Sequence, residues 1–563
     1  MEKYLLKIDI TGKQEYIFAT NRLKDAVGAS EVVRFVSEDL GGLLLEEIDG
    51  LKNEEFSKEK SDGNVLFIGG GNSVYIFKDE NSSKEFASRF SEIVLRFFPG
   101  LDLLMAGSEV DSSENKSTIK KKIEELDLKL EKKKLSGIGN INILGYAITE
   151  LCRNNKKPAG YEVHYGGETS RVSKEILSKV TFYNMTRRDY KNYPETNCMK
   201  TFREDFFKEL KINDDNYREK LLKKVVVIKE REDWKIEEKV EFESFTTNRY
   251  EYCDEVDYIG GEIGERSYIG VSCTDGNGIG EMFRKIEDNI ENYSYIDKVR
   301  RLSKEVEAIF LGAVEHVTNY CVENKDILKQ KLKLQDDEVK TRNEKYTEYI
   351  PMRPIVVAGD DITIVTNAKI VLEVTHELLK YIERANKSKK KKSKEEIGAG
   401  TGISIVKTKY PFSRAVDFAE KIQKDVKVSI RKIQKDEEKI NIMDKQKLGM
   451  SWEVVRGEIN PENSRKINMI WDLEGKFVDT HNLNLKNIEW EKFKTEMNRI
   501  RKLNDSTEGS KGKYINLFRS SQISNAEKTL FEAKYMSGET MKESYLEKVM
   551  ESINLFETVK GEN

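Results

Sequence analysis

The chain has 563 residues, and its 97 Lys and Arg against 100 Asp and Glu give a formal net charge of −3. This balance excludes a uniformly basic nucleic-acid coat and a polyanionic tail, because either would carry a large excess of one charge. The length predicts several domains, and 7 prolines with 36 glycines are too few for a collagen-like or Pro-rich disordered chain.

A first β-α-β-β-α-β order is predicted in the N-terminal part of the chain. Residues 4–10 (YLLKIDI) favour a strand, and the apolar residues from Ile17 onward have helical spacing. Two further strands flank a Gly/Asn turn, which is typical of a β-hairpin because these residues tolerate a positive φ. The hairpin strands, the next helix and the last strand are predicted at 64–68, 74–77, 84–98 and 101–106.

The same order is predicted a second time in the middle of the chain. Strands are expected at 268–273, 355–357, 362–365 and 402–406, and helical segments at 279–325, 369–385 and 413–427. The two middle strands again flank a tight turn, here Ala-Gly-Asp-Asp. Two copies of one ferredoxin-like unit in a single chain indicate an internal duplication.

The predicted fold class is therefore α+β, with two ferredoxin-like domains and a separate α-helical domain at the C-terminus. The first domain is expected over residues 1–190, with a helical insertion, and the second over 256–444. Residues 191–255 are highly charged and are interpreted as a connecting module. From residue 445 to 563 the pattern is mostly helical, with Trp452, Trp471 and Trp490 as expected anchors.

Three carboxylates of the second copy are candidates for catalysis and for binding metal. Asp275 is expected just past a first strand, whereas Asp360 and Asp361 lie in the hairpin turn 86 residues later. In a ferredoxin-like sheet the first strand lies beside that hairpin, so these carboxylates can converge on one edge. Carboxylate oxygens are the ligands that Mg²⁺ or Mn²⁺ prefers, and a two-metal site is suited to nucleotidyl transfer.

Glycines accompany these carboxylates at positions where a nucleotide would approach the backbone. Gly276, Gly278 and Gly359 remove side chains there. Each segment taken alone also fits a plain reading, in which the Gly-Asp-Asp is a turn and the Asp-Gly-Asn-Gly is a loop. Their joint order, strand to DGNG to helix and then strand to GDD to strand, favours the metal site.

Several runs of the second copy resemble the second palm domain in the large subunit of type III CRISPR effector complexes. These runs are IGVSCTDGNGIGEMF, PIVVAGDDITIV, GTGISIV and KYPFSRAVDFAEKI. The resemblance implies two palm domains and the joining of ATP into cyclic oligoadenylates. It implies metal ligation by Asp275, Asp360 and Asp361, and a triphosphate contact from Lys427. The nucleotide would lie against Gly276, Asn277, Gly278 and Gly359.

The first copy resembles the first palm of that family through IDITGKQEYIF and GASEVV. It keeps Asp9 on its first strand, but Gly71 and Asn72 take the places that correspond to Asp360 and Asp361. A lone carboxylate cannot hold two divalent ions. The first copy is thus expected to be a metal-free pocket for a second ATP, formed by Gly69, Gly70, Gly71 and Asn72, and the alternative is a purely structural duplicate.

Two modules that many members of the family carry are not expected in this chain. The four histidines include no His-Asp pair, so we expect no HD nuclease and no DNA cleavage. The five cysteines include no C-x-x-C pair, so the segment around Cys152 is interpreted as a metal-free remnant of a zinc module. The same cysteine pattern, and the lack of a long apolar run, predict a cytoplasmic protein with no membrane contact.

One dense basic run, Lys387-Ser-Lys-Lys-Lys-Lys-Ser-Lys394, has two interpretations. It either contacts RNA phosphates or forms a solvated insertion. The main hypothesis is a nucleotidyltransferase that uses Mg²⁺ or Mn²⁺ to convert ATP into a cyclic oligonucleotide messenger for antiviral defence, with guide or target RNA and CRISPR effector subunits as partners. The alternative is a non-catalytic RNA-binding scaffold subunit. Whether the protein acts alone or within a CRISPR complex stays open.

Overall fold

The computed structural model divides the chain into two compact units. The first contains residues 1–248, 279–312 and 355–361, and the second contains 249–278, 313–354 and 362–563. The structure describes residues 2–48, 54–55, 63–69, 71–111, 118–136, 148–165, 168–185, 195–212, 223–228, 238–243, 250–253, 255–260, 267–286, 292–332, 348–389, 396–439, 446–455, 467–478, 486–487 and 489–505.

The N-terminal part of the chain contains the elements of the first copy, followed by two hairpins and two helices. The first copy comprises β1 (Glu2–Thr11), α1 (Lys13–Ile17), α2 (Leu23–Arg34), a π-helical turn (Phe35–Asp39), α3 (Leu40–Glu47), β2 (Glu54–Glu55), β3 (Gly63–Gly69), β4 (Asn72–Phe77), α4 (Glu80–Phe97), β5 (Asp102–Asp111) and α5 (Thr118–Leu135). After these come β6 (Tyr161–Tyr165), β7 (Glu168–Val172), α6 (Lys174–Met185), α7 (Asn197–Leu210), β8 (Lys223–Ile228) and β9 (Glu238–Glu243).

The first copy forms a sheet of order β2-β3-β4-β1-β5, which confirms the predicted ferredoxin-like arrangement. Strand β1 lies in the middle and pairs antiparallel with β4 and with β5. On one face, apolar side chains of the sheet pack against α5, which contributes Ile119, Ile123, Leu126 and Leu130. These four residues follow the 3.6-residue helical period, so they bury a single stripe of the helix.

Strand β5 is an edge strand of this sheet, and lysines of α5 cover part of its open edge. Lys129 Nζ donates to the carbonyl of Gly107 at 3.2 Å, and Lys133 Nζ donates to the carbonyl of Met105 at 2.6 Å. A charged side chain that satisfies edge carbonyls discourages pairing with another strand. The first copy therefore ends its sheet at β5.

Helix α7 belongs to the first compact unit, which differs from its prediction as part of a connecting module. Phe206 is fully buried, and its ring lies 5.2 Å from the ring of Phe35 and 5.4 Å from that of Phe182. Phe202, Phe206 and Leu210 are spaced four residues apart, which indicates an apolar helix face. The overall composition of residues 191–255 does not show this face, because charged residues dominate it.

The rest of the chain contains the second copy and further strands. Its elements are β10 (Tyr250–Tyr252), α8 (Val256–Gly260), β11 (Tyr268–Asn277), α9 (Ile279–Arg284), α10 (Asn292–Glu323), α11 (Lys325–Leu332), β12 (Glu348–Ile350), β13 (Met352–Ala358), β14 (Asp361–Asn367), α12 (Val371–Lys389), β15 (Gly398–Lys407), α13 (Phe412–Lys439), β16 (Lys447–Val454), β17 (Ile467–Asp472), β18 (Lys486–Asn487) and α14 (Trp490–Asp505).

The second copy lies in a seven-stranded sheet of order β13-β14-β11-β15-β16-β17-β18. Its first four strands have the same order as β3-β4-β1-β5 in the first copy, so β11 corresponds to β1 and β14 to β4. The mixed sheets and helices confirm the α+β class. In both copies the first strand is central because the hairpin pairs on one side of it and the last strand on the other.

The sheet of the second copy continues into the segment that was predicted to be helical. Strand β16 pairs parallel with β15, and β17 pairs antiparallel with β16. In residues 447–454 every second position is apolar: Leu448, Met450, Trp452 and Val454. This alternation is typical of a strand, but the overall helical pattern of the segment conceals it. Only α14 is a described helix beyond residue 445, and residues 506–563 lie outside the described part.

The three tryptophans predicted as anchors are all buried. Trp452 is 1% exposed, Trp471 8% and Trp490 9%. Trp490 stacks on His376, with ring centroids 4.2 Å apart, and Trp471 Nε1 donates to Glu383 at 3.2 Å. Among the described helices, none is long and apolar enough to cross a bilayer.

Candidate active site

Asp275 lies within strand β11. The sequence analysis had placed it just past the end of that strand. The strand continues to Asn277 because its partner β15 supplies an uninterrupted ladder, in which Asp275 pairs with Gly400 and Asn277 with Gly398. A Cβ at Gly400 would lie 3.0 Å from Lys427 Cγ. The glycine therefore leaves room for the stem of Lys427 beside Asp275.

Lys427 contacts Asp275 directly. Its Nζ forms an ion pair with Asp275 Oδ2 and donates to the carbonyl of Gly276 at 2.8 Å. Gln423 Nε2 donates to the same carboxylate oxygen at 3.2 Å. Gln423 and Lys427 are four residues apart on α13, so they project from one face of the helix. The sequence analysis missed Gln423, although this i,i+4 spacing from Lys427 would have identified it.

A third side chain on this face of α13, Glu420, adds negative charge near Asp275. Burial raises the pKa of Glu420, while the charge of Lys424 opposes the shift and the charges of Asp417 and Asp275 add to it. The carboxylates of Glu420 and Asp275 therefore interact. Lys427 is thus paired with a carboxylate that also interacts with Glu420.

Asp360 and Asp361 lie at the turn between β13 and β14. Gly359 has a φ of +62°, a conformation that glycine adopts without the penalty that a side chain would bring. Thr274 of β11 pairs with Ile362 of β14 in an antiparallel ladder. Asp275 follows Thr274 in sequence and Asp361 precedes Ile362, so both residues come directly after the last printed pair of this ladder in their own strands.

Lys13 is a further charged residue near the acidic turn, and the sequence analysis did not identify it. Burial lowers the pKa of Lys13, and the negative charges of Asp9, Asp361 and Asp360 act in the opposite direction. These carboxylates are thus close enough to the Lys13 ammonium to interact with it. Lys13 begins α1, in the Thr-Gly-Lys segment that follows β1.

The hairpin turn of the first copy occupies the place that the acidic turn has in the second. Asp9 of β1 pairs with Asn72 of β4, so Asn72 corresponds in ladder position to Asp361, and Gly71 to Asp360. A Cβ at Gly71 would lie 2.5 Å from Lys13 Nζ, and a Cβ at Gly69 would lie 3.0 Å from Ser303 Oγ.

Lys13 and Ser303 thus lie beside two of the glycines at which a second nucleotide was expected. Gly70, the third glycine of that predicted pocket, lies outside the described residues.

Gly278, in the second copy, has a φ of +73° and a Cβ there would lie 2.9 Å from Gln446 Nε2. Asn277 is 7% exposed, and its Nδ2 has no hydrogen-bond partner in the described part of the chain.

The first copy contains a second ion pair of the same kind. Lys134 Nζ lies 2.5 Å from Asp9 Oδ2, and Lys134 is on α5, the helix that follows the last strand of the copy. Lys427 and Asp275 are placed equivalently in the second copy, on α13 and β11. The duplication therefore extends to a lysine on the last helix that neutralises the carboxylate of the central strand.

The donor chemistry of Asp275, Asp360 and Asp361 fits a hard divalent ion such as Mg²⁺ or Mn²⁺, since all three offer carboxylate oxygens. Within the described ranges, no group of three or more His, Cys, Asp or Glu side chains is arranged to hold a metal ion. Lysine ammonium groups approach these carboxylates, as described for Lys427 and Lys13.

Other predicted features lie away from this edge. Lys387 Nζ donates to Glu383 Oε1 at 2.6 Å and to the carbonyl of Glu474 at 3.1 Å. Residues 390–394 of the basic run lie outside the described part. Cys152 is buried, and its backbone N–H donates to the carbonyl of Lys157 at 2.8 Å in a tight loop. His316 lies 3.5 Å from Glu377 and is a structural partner.

Comparison with known proteins supports the resemblance in the second copy. A family model described as Cas10/Cmr2, second palm domain, matches residues 268–437. No curated protein matches the chain. Among solved structures, a chain of a Csm1-Csm4 cassette in complex with pppApA is 14% identical, with a TM-score of 0.41 over 76% of this chain and 53% of that one.

Two further structures are similarly distant in sequence. A chain of a Csm1-Csm4 cassette in complex with cA4 is 13% identical, with a TM-score of 0.45 over 98% of this chain and 70% of that one. A chain of the Csm1-Csm4 subcomplex of a type III-A CRISPR-Csm interference complex is 11% identical, with a TM-score of 0.46 and the same coverage. The present chain spans about half the length of the pppApA-bound chain. Residues 268–437 are similar to a second palm domain of the Cas10/Cmr2 type.

Proposed function

We propose that this protein is a metal-dependent nucleotidyltransferase that joins ATP molecules into a cyclic oligonucleotide. The observation that supports it most is the end of the β11–β14 ladder at Thr274 and Ile362, which Asp275 follows in sequence and the Asp360–Asp361 pair precedes. The match of residues 268–437 to a Cas10/Cmr2 palm adds the reaction class. The role of the second palm as the active one rests on its three carboxylates, of which the first palm keeps only Asp9.

In this proposal Asp275, Asp360 and Asp361 hold Mg²⁺ or Mn²⁺. When bound, such ions activate a ribose hydroxyl and neutralise charge at the phosphate that it attacks. Lys427 exchanges its contact with Asp275 for one with the triphosphate of ATP, since its amine already lies beside Asp275 and the Gly276 carbonyl. Gln423 keeps the Asp275 carboxylate oriented while Lys427 changes partner.

The reaction joins two nucleotides through a new ester bond. The 3′-oxygen of one ATP bonds to the α-phosphorus of another, the bond from that phosphorus to the β-phosphate bridging oxygen breaks, and pyrophosphate leaves. The hydroxyl proton passes to solvent. The same reaction between the 3′-oxygen at one end of a nucleotide chain and the α-phosphorus at its other end closes a ring. Because the first palm carries no acidic pair at its turn, it contributes structure or nucleotide contacts rather than metal ligands.

The family of the second palm suggests the setting in which the enzyme works. We expect RNA and other subunits of a type III CRISPR effector complex as partners, an antiviral signal as the product, and the cytoplasm as the location. The full chain, with and without such subunits and RNA, should be incubated with ATP and Mn²⁺ and its products identified by mass spectrometry. Cyclic oligoadenylate and released pyrophosphate are the expected result. Absence of pyrophosphate from every nucleotide, in every activated state, would contradict the proposal.

A non-catalytic scaffold is the second candidate, and one observation favours it. The described residues hold no ready group of three metal ligands, and Lys427 forms an ion pair with Asp275. Titration with Mn²⁺ separates the two candidates, because a metal that binds the folded protein raises its Tm. A scaffold shows no shift, whereas the enzyme shows a rise in Tm that is lost on replacing Asp360 and Asp361 by Asn.

A further inference from the structure

Helix α13 has one buried side and one exposed side of different chemistry. The buried side packs into an apolar cluster through Val426, Ile430 and Ile433. The exposed side carries five cations along the middle and the second half of the helix. We call them the basic stripe, and they are Lys421, Lys424, Arg431, Lys432 and Lys435.

The stripe follows from the helical period. With 3.6 residues per turn, the five positions lie within an arc of about 100° around the helix axis. From Lys421 to Lys435 they extend over about 21 Å, at 1.5 Å per residue. The one other exposed residue of this stretch is Val428, at 47%. The exposed surface of the stretch is therefore a straight row of positive charges with a single valine in it.

Most cations of the stripe lack the acidic partner that exposed lysines of this protein have elsewhere. On the neighbouring helix α12, Lys387 pairs with Glu383 at 2.6 Å. In the stripe, Lys424 lies 3.7 Å from Glu420. Across the part of the chain that the structure describes, no ion pair joins the other four cations to a carboxylate. Four positive charges of the row are thus available to an external anion.

The stripe is unfavourable for the helix that carries it. Like charges three or four residues apart on a helix repel each other and destabilise it. The dipole of the helix favours cations only in the last turn, and α13 continues to Lys439. A bound polyanion would remove the repulsion. Three pairs have this spacing: Lys421 with Lys424, Arg431 with Lys435, and Lys432 with Lys435.

We propose that the basic stripe of α13 binds the sugar-phosphate backbone of a single-stranded nucleic acid. Phosphates of such a strand replace small counterions along a row of cations, which favours binding. A single strand can follow a straight row over its whole length, whereas each strand of a duplex winds away from it. The stripe has only Val428 as an apolar residue, so it lacks the apolar face with which a helix enters a membrane surface.

The stripe adjoins the side of α13 that reaches the candidate active site. Lys424 and Arg431 are three and four residues from Lys427, so they are its neighbours on the helix surface. Lys427 pairs with Asp275. A strand on the stripe therefore lies along the helix whose other residues position Asp275. Backbone binding itself needs neither metal nor ATP, so it goes beyond the proposed reaction and does not depend on it.

The test measures binding of a fluorescent strand of about 20 nucleotides to the full chain by fluorescence anisotropy. RNA and DNA of one sequence are used in turn, with EDTA and without ATP. The combined variant Arg431→Gln, Lys432→Gln and Lys435→Gln should weaken binding about tenfold or more at about 50 mM salt. It should also reduce the slope of log K against log salt by about 2, since each lost phosphate contact contributes about 0.7.

The matched control removes the same net charge from cations that have partners. It combines Lys84→Gln, Lys200→Gln and Lys492→Gln, because each lysine is exposed and pairs with a glutamate, at 3.1, 3.9 and 3.3 Å. Its affinity should stay within about twofold of the original chain. Circular dichroism verifies the fold of both variants, and glutamine is a good helix former at exposed positions.

The outcomes separate the possible ligands from a failed proposal. A loss with RNA alone, with DNA alone or with both supports the stripe and identifies the sugar of its strand. An equal loss in the two variants would reduce the effect to net charge and overturn the proposal. Unchanged affinity of the α13 variant, or no binding of either strand by the original chain, would overturn it too. The proposed synthesis from ATP stands or falls separately, because this measurement contains no ATP and no divalent ion.

Discussion

Lys134 Nζ lies 2.5 Å from Asp9 Oδ2 in the first palm, and the same pairing of a last-helix lysine with a central-strand carboxylate recurs in the second palm between Lys427 and Asp275. Both copies of the duplicated unit thus carry this pair. What distinguishes the second palm is the pair of carboxylates in its hairpin.

Replacing Asp360 and Asp361 together by Asn should reduce cyclic oligonucleotide synthesis at least about hundredfold. The amides keep the size of the side chains but lose the negative charges that hold divalent ions. Product formation is measured by mass spectrometry, and circular dichroism verifies the fold. Asp297→Asn is the control, because Asp297 is an exposed aspartate on α10. Synthesis retained by the double variant would place the active site elsewhere.

Replacing Lys427 by Met should raise the KM for ATP by about tenfold, since a charged hydrogen bond of about 1.5–3 kcal/mol to the triphosphate is lost. Lys424→Met is the matched control on the same helix, because Lys424 is 71% exposed and lies 3.7 Å from Glu420. Steady-state rates of pyrophosphate release give both values. Equal KM values for the two variants would argue that Lys427 only orients Asp275.

Replacing Gly71 by Ala should destabilise the protein by about 1–3 kcal/mol. The residue has a φ of +83°, and the new methyl group would lie within 3 Å of three Lys13 side-chain atoms. Gly160→Ala should change the free energy of unfolding by less than about 0.5 kcal/mol, because nothing lies within 4 Å of its added Cβ. Urea unfolding of both variants makes the comparison, and similar losses would contradict the packing of Lys13 on Gly71.

His376 should make the protein sensitive to acid. Burial lowers its pKa to about 3, with Lys380 and Lys494 adding to the shift and Glu377 opposing it. Between about pH 6.5 and 3, His376 is therefore protonated in the unfolded chain and neutral in the folded chain. Stability from this group is complete above pH 6.5 and falls as the pH is lowered, by at most about 1.4 kcal/mol per pH unit.

The variant His376→Phe keeps the ring that stacks on Trp490 and removes the proton site. Its unfolding free energy between pH 7 and 4 should fall less steeply than that of the original chain, measured by urea unfolding at each pH. The carboxylates of the protein contribute equally to both, so the difference reports His376. Parallel curves would mean that the folded protein accepts the proton.

Sequence patterns alone predict the duplicated β-α-β-β-α-β order, the turns, and the motifs around Asp275 and Asp360. These features are encoded locally, since alternation of apolar residues, helical spacing and Gly/Asp turns each act within a few residues. The strand period of residues 447–454 was also present in the sequence, but the helical pattern around it concealed it. The apolar stripe of α7 was present too, and the high charge of the surrounding segment concealed it.

Which charges lie close to one another follows only from the folded arrangement of the chain. Lys134 and Asp9 are far apart in sequence, as are Lys13 and the Asp360–Asp361 turn, and no local pattern relates them. The structure also shows that Lys13 and Ser303 fill the space beside Gly71 and Gly69. A glycine in a sequence indicates that a side chain is missing, but the neighbour that uses the room comes from a distant part of the chain. Its identity follows from the packing of the whole fold.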